Sequence, residues 1–245
     1  MAYNSGLDEH KAKKEPPFVS SGDTKLDELL NGGFRKDTIY LLIGDRKPTS
    51  KILVSTSVSA FVDRNFNKFV AFIDGNNRFN PYNISKLAIS RKMSPTRVLE
   101  HILISRAFTY DQMIEILENK ITGLNNVEIL LISGITSMWP NYEQHTFEEL
   151  SRAFKGIKKV VEKSNPLIVI TAPRNIYSKI KPVGGNSLYH FGHALILMEK
   201  TDREVTYTLL QHPSIPEKQL KRCIPRKPKR GMRPPIKNKT LDSWF

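Results

Sequence analysis

The chain of 245 residues predicts an α/β fold, with a mostly parallel central sheet flanked by helices and an antiparallel hairpin at its C-terminal edge. Three observations predict it. Runs rich in Ile, Leu and Val without polar alternation, TIYLLIG (38–44), KFVAFID (68–74), VEILLIS (127–133) and PLIVIT (166–171), read as strands buried on both faces. Helical segments stand between them, so the strands are joined by crossovers. HALILMEK (193–200) and EVTYTLLQ (204–211), separated only by Thr201-Asp202-Arg203, read instead as a hairpin.

The elements follow in order. Thr24 with Asp27 predicts a capping box that opens the helix TKLDELL, and Gly32-Gly33 closes it. A strand over 38–43 leads through a loop into the helix KILVSTSVSAFV (51–62), and the strand KFVAFID completes a β-α-β unit. Asn80-Pro81 and Ser94-Pro95 each place a cap before a proline at the first helical position. HILIS (101–105) is a short strand, and YDQMIEILENKI is helical by the spacing of Met113, Ile114, Leu117 and Ile121. A further helix near 147–162 precedes the strand PLIVIT, and no internal repeat is visible.

Lysine and arginine number 38 against 24 acids, a formal charge of +14 that points to a polyanionic partner. The excess is concentrated. Between Lys221 and Lys239 stand Arg222, Arg226, Lys227, Lys229, Arg230, Arg233 and Lys237, with four prolines and no acid, so this stretch reads as a disordered, extended tail. The expected organisation is a flexible lead (1–17), a folded core (18–224) and a basic tail (225–245). The lead has no apolar stretch and does not read as a signal peptide. One cysteine, Cys223, leaves no internal disulfide, which suits a reducing compartment, and no apolar run reaches the roughly 18–20 residues that span a bilayer.

The loop GDRKPTSK (44–51) stands in the setting of a P-loop, between strand and helix. A P-loop reads GxxxxGK[ST], in which glycine lets backbone N–H groups curl round phosphate, lysine reaches the β/γ oxygens and a hydroxyl holds Mg²⁺. Here Gly44 is followed at those three positions by Thr49, Ser50 and Lys51. The chemistry of the loop is missing from its proper place.

VSSGDTKLDELLNGG (19–33), FIDGNNRFNP, SPTRVLEHILISRAF, LLISGITSMW, KPVGGNSLYHFGHALILMEK and LQHPSIPE (210–217) run nearly collinear along the chain. Together they resemble the core ATPase domain of the RecA/RadA recombinase family, over about four fifths of the chain. The resemblance implies a RecA-like P-loop NTPase core and, through the archaeal flavour of that likeness, a cytoplasmic, nucleoid-associated protein, or a nuclear one in a eukaryote. It also exposes departures. The family's catalytic glutamate falls on Asn76, whose amide accepts no proton. The aspartate that supports Mg²⁺ falls on Ser133, and the glutamine that senses the γ-phosphate on Pro173. The expectation is therefore a degenerate ATPase without a cofactor. Weak ATP binding stays open through Lys47 or Lys51, with Asp74 as a candidate metal contact.

Two loops of the family line the DNA axis of its filaments. The first corresponds to PNYEQHTFEE (140–149), with three acids and no Lys or Arg. The second, RNIYSKIK (174–181), carries Arg174, Lys179 and Lys181 around Tyr177, a pattern that suits single-stranded DNA because the ring can stack on a base. The tail residues Arg226, Lys227, Lys229 and Arg230 are further candidates for DNA. No clear Phe-x-x-Ala segment for polymerisation is found, and an active strand-exchange filament is disfavoured.

The chain ends NKTLDSWF (238–245). Leu241 and Trp244, three apart, fall on one side of a single tight turn with Phe245 beside them. The segment resembles the PIP box that binds the sliding clamp (PCNA), with Asn238 in place of the usual glutamine. A solitary metal pair, His190 and His193, lacks a third ligand and reads as polar packing. Cys223 reads as an incidental thiol, and Gly184-Gly185 as a tight turn.

Three functions stay open at this level. The first is a non-catalytic RecA/RadA-like paralogue, a clamp-recruited adaptor or regulator in DNA repair, recombination or replication, with DNA and a RadA-type recombinase as further partners. The second is an ATP-binding recombinase paralogue or mediator with an unconventional nucleotide site. The third is a plain single-stranded DNA-binding module.

Overall fold

The computed structural model describes residues 18–62, 68–139 and 145–224. Helix α1 (Thr24–Leu29) comes first and is capped by Asp23. Its carboxylate accepts the N–H groups of Lys25 at 3.1 Å and Leu26 at 3.4 Å. The capping box expected at Thr24 is therefore displaced by one residue. Gly22, at φ +74, turns the chain early enough to lay Asp23 over the open helix end. Asp27 does not reach back to the cap; its oxygens take the Ser21 N–H at 2.7 Å and the Ser20 hydroxyl at 2.6 Å.

Strand β1 (Ile39–Gly44) passes through the single residue Asp45 into helix α2 (Arg46–Ser59). The helix was expected only from Lys51, so the stretch that should form a phosphate loop is wound into helix. The sequence chemistry explains this. Pro48 lies in the first turn, where its missing N–H costs nothing. Thr49, where a P-loop has glycine, returns both its N–H (3.2 Å) and its hydroxyl (2.8 Å) to the Asp45 carbonyl.

Strand β2 (Phe69–Asp74) is followed by α3 (Pro81–Ser90) and α4 (Pro95–Glu100), both opening on the expected prolines. Asn80 caps α3 by accepting the Tyr82 N–H at 2.9 Å. Then come β3 (Ile102–Arg106), α5 (Tyr110–Glu115) continuing through a wider turn (Ile116–Lys120), and β4 (Val127–Ser133). Helix α6 (His145–Ser164), β5 (Leu167–Ala172) and α7 (Gly185–Phe191) lead to β6 (Ala194–Lys200), β7 (Glu204–Gln211) and β8 (Lys218–Cys223).

These strands form one sheet in the order β3-β2-β4-β5-β1-β6-β7-β8. Pairing is parallel from β3 to β6 and antiparallel from β6 to β8. The expected hairpin is present and is extended by a third strand. Lys221 and Arg222, which open the basic run but fall inside the expected core (18–224), lie in that strand, where alternate residues of β8 find half-buried sites against α1. The sheet divides the core in two. Tyr40, Leu42, Phe72 and Leu131 face α1 to α4, while Leu41, Ile43, Ile73 and Ile132 face α5 to α7. Each such fully buried side chain contributes about 1.5–3 kcal/mol, which accounts for the unbroken apolar runs. No helix among the described residues is long and apolar enough to cross a membrane.

Candidate functional site

The carboxyl ends of β1, β2, β4 and β5 converge, and this is where open α/β sheets hold ligands. Ser50 on α2, Asn76 after β2 and Ser133 at the end of β4 meet there. Asn76 Nδ2 donates to Ser50 Oγ at 3.3 Å and to Ser133 Oγ at 3.2 Å, and the two hydroxyls lie 3.4 Å apart. Ser50 and Ser133 are buried. Three positions that hold phosphate, water and metal in the resembled family are thus neutral and bonded to one another. Gly134, at φ +70, makes the room: a Cβ there would collide with Asn76 Oδ1 and Ser137 Oγ.

The remaining nucleotide-site candidates are separated. Gly44 and Pro173 line one cavity, whereas Lys51 lines another with Gly22, Asp23, Thr24 and Arg222. Thr49 is committed to its own helix. Lys47 is exposed on the first turn of α2. Asp74 is fully buried, and its oxygens are taken by backbone: Oδ1 by the N–H groups of Asn76 and Arg78, both at 3.2 Å, and Oδ2 by that of Phe79 at 2.8 Å. It shapes the turn after β2 and presents no open oxygen to a cation. Among the described residues no group of three His, Cys, Asp or Glu is placed to hold a metal. His193 is exposed, with Nδ1 accepting the Ile39 N–H at 3.2 Å.

The basic loop is built, not loose. Val183 N–H bonds Pro173 O at 2.8 Å and Asn175 N–H bonds Lys181 O at 2.9 Å, closing the loop at its base. Asn175 Oδ1 accepts the Tyr177 N–H at 2.8 Å, and Ser178 Oγ accepts the Lys181 N–H at 3.1 Å. The tip is thereby held out, with Ile176 83% and Tyr177 85% exposed. Arg174 pairs with Glu199 at 2.7 Å, while Lys179 and Lys181 are exposed and make no ion pair among the described residues.

This loop and the altered P-loop face each other. A cavity of about 550 Å³ lies between them, lined by Gly44, Asp45 and Arg46 on one side and by Pro173, Arg174, Ile176, Tyr177, Ser178 and Lys179 on the other. Arg46 is the residue that sequence reasoning missed. Its signal was present, a cation two positions after the strand end inside a loop already out of pattern. The tail candidates Arg226, Lys227, Lys229 and Arg230, the clamp-binding candidates Asn238, Leu241, Trp244 and Phe245, and 140–144 of the acidic loop lie outside the described residues.

A six-strand parallel core extended by antiparallel strands, with its altered P-loop at the carboxyl ends, defines a RecA-like α/β protein. Residues 13–228 match the family model Rad51, and the chain belongs to that family. It is 27% identical over 195 residues to a DNA repair and recombination protein RadB of Methanococcus maripaludis, an alignment covering 76% of this chain and 88% of that protein. It is 24% identical over 242 residues to a meiotic recombination protein DMC1 homolog of Glycine max, covering 89% of this chain and 69% of that protein. A DMC1 homolog of Arabidopsis thaliana is 26% identical over 224 residues, covering 82% and 64%.

Proposed function

We propose that this protein is a Rad51-family member whose core no longer runs an ATP cycle, and that it acts as an adaptor or regulator in DNA repair and recombination. The observation that carries the reading is the bonding of Asn76 to Ser50 and Ser133. Phosphoryl transfer depends on positioned charge, a metal and an oriented water. Neutral groups bonded to one another supply none of these. The winding of Arg46–Lys51 into α2 supports the same reading, since Pro48 has no N–H and the Thr49 N–H is spent on the Asp45 carbonyl, where a P-loop's curled backbone would turn such groups toward phosphate. The repair and recombination setting comes from the RadB and DMC1 relatives. A recombinase of the same family is the protein partner this suggests.

The second part of the proposal is recruitment to the sliding clamp, PCNA, through NKTLDSWF. Large aromatic and aliphatic anchors at a chain end gain binding energy by filling a partner's pocket, and Leu241, Trp244 and Phe245 have that spacing. Calorimetric titration of the protein into its clamp, with and without residues 238–245, tests it. Binding is expected with the full chain and lost with the truncation or with Trp244→Ala/Phe245→Ala; binding that survives both removes the assignment. The third part is contact with single-stranded DNA through Arg174, Tyr177, Lys179 and Lys181, supported by the exposed ring among cations.

A further inference from the structure

The cavity between the altered P-loop and the basic loop has two unlike sources of attraction on its walls. One is cationic. Arg46 gives one N–H to the Ser137 carbonyl at 2.8 Å, which fixes the guanidinium, and no described residue takes its other donors. Lys179, across the cavity, makes no ion pair among the described residues, whereas Arg174 is already neutralised by Glu199. The other source is apolar and flat, the exposed Tyr177 ring with Ile176 beside it. A soluble surface gains nothing from leaving two such side chains in water at the tip of a hydrogen-bonded loop.

Charge decides the kind of ligand. Leaving aside the Arg174–Glu199 pair, the lining carries Arg46 and Lys179 against Asp45, a net of one positive charge. That matches a phosphodiester, which carries one negative charge, and is far short of what a free triphosphate requires. The volume of about 550 Å³ lies within the range of about 300–1,000 Å³ in which small ligands are held. Since the loop is closed by its own hydrogen bonds, Tyr177 is presented with little ordering cost on binding.

We propose that this cavity seats one nucleotide unit of a single-stranded nucleic acid, its phosphodiester on Arg46 and Lys179 and its base against Tyr177. The inference rests on the reading that the 174–181 loop binds a single strand. It adds the opposite wall: the former phosphate loop has become part of the strand's path through Arg46.

The test is fluorescence polarisation of a labelled oligodeoxythymidylate with the full chain, over a salt series. Arg46→Gln is the main variant, because it removes the charge while keeping a polar, unbranched side chain; Arg46→Lys is the control that keeps the charge. Tyr177→Ala is expected to weaken binding about fivefold to a hundredfold with the salt slope unchanged. Arg46→Gln is expected to weaken it about threefold to tenfold and to lower the slope by about 0.7, with Arg46→Lys near the parent. If Tyr177→Ala weakens binding while Arg46→Gln alters neither affinity nor slope, the strand crosses the loop alone and the cavity proposal is overturned with the DNA reading intact. If neither variant alters binding, both fail. Competition by millimolar Mg–ATP that disappears in Arg46→Gln would make the occupant a free nucleotide and overturn the proposal too.

Discussion

Asn76 donates its side-chain amide to the Ser133 hydroxyl at 3.2 Å, across 57 residues of sequence. The sequence resemblance sets the first against the RecA/RadA family's catalytic carboxylate and the second against its metal-supporting one. Two carboxylates at this separation would repel and would need a cation between them. An amide N–H and a hydroxyl hold together without one.

This bonding sets an expectation for nucleotide. A ligand at a hundred times its Kd raises stability by about 2.7 kcal/mol, a shift of several degrees in a domain of this size. Millimolar Mg–ATP is expected to leave the Tm unchanged and to yield no released phosphate. A clear rise in Tm that vanishes in Lys47→Ala or Lys51→Ala would instead establish an unconventional nucleotide site.

The cluster also carries stability. Ser133→Ala is expected to cost about 1–2 kcal/mol, because the half-buried Asn76 amide loses one of its two hydroxyl partners. Ser50→Ala combined with Ser133→Ala is expected to be non-additive by about 0.5 kcal/mol or more. Strictly additive denaturation midpoints would show that the three side chains do not act as a unit.

Asp23 ties the first helix to the last strand. Its Oδ2 accepts from Arg222 Nε and from the Tyr207 hydroxyl, both at 2.7 Å, while Oδ1 caps α1. Asp23→Ala removes cap and pairing together and is expected to cost about 2–4 kcal/mol in urea unfolding. A loss no larger than that of a surface substitution would mean that β8 is held by its backbone pairing alone.

The same cluster makes stability fall in alkali. Burial, and then the neighbouring Asp23 carboxylate, push the Tyr207 hydroxyl up to about 12 from its ordinary value near 10. A raised value means that the contribution is intact below about pH 10 and is lost as pH rises through about 12. Burial moves Tyr40 in the same direction. Tyr207→Phe is expected to flatten the fall of stability between pH 10 and 12 while leaving Tyr40's share; an unchanged slope would place the alkaline sensitivity elsewhere.

The tail can be separated from the core by salt. Residues 225–245 hold seven cations, Arg226, Lys227, Lys229, Arg230, Arg233, Lys237 and Lys239. Each that neutralises a phosphate on a single strand contributes about 0.7 to the slope of log K against log salt. Deleting 225–245 is expected to weaken DNA binding and flatten that slope without changing the effect of Tyr177→Ala. An unchanged slope would assign the sequence-independent affinity to the folded core.

The sequence alone determined the sheet. Long apolar runs can be satisfied only by burial on both faces, so β1, β2, β4 and β5 were legible to within a residue, as were the proline-led starts of α3 and α4. It also set the expectation that the nucleotide positions are altered, because Ser50, Asn76, Ser133 and Pro173, which the resemblance sets at them, differ in chemistry from what phosphate and metal demand. Only the tertiary structure decided what replaced that chemistry. Local sequence does not say that Asn76 bonds Ser50 and Ser133, since the three come from separate elements brought together by strand order. Nor does it place Asp23 one residue ahead of the expected cap, or draw Lys221 and Arg222 out of a basic run into β8. In each case a long-range partner, the Tyr207 hydroxyl for Asp23 and the β7 edge for β8, outweighs a local preference worth about 1 kcal/mol or less. Arg46 shows the same limit at the candidate site: its charge was visible in the chain, but its place opposite Tyr177 is a property of the fold.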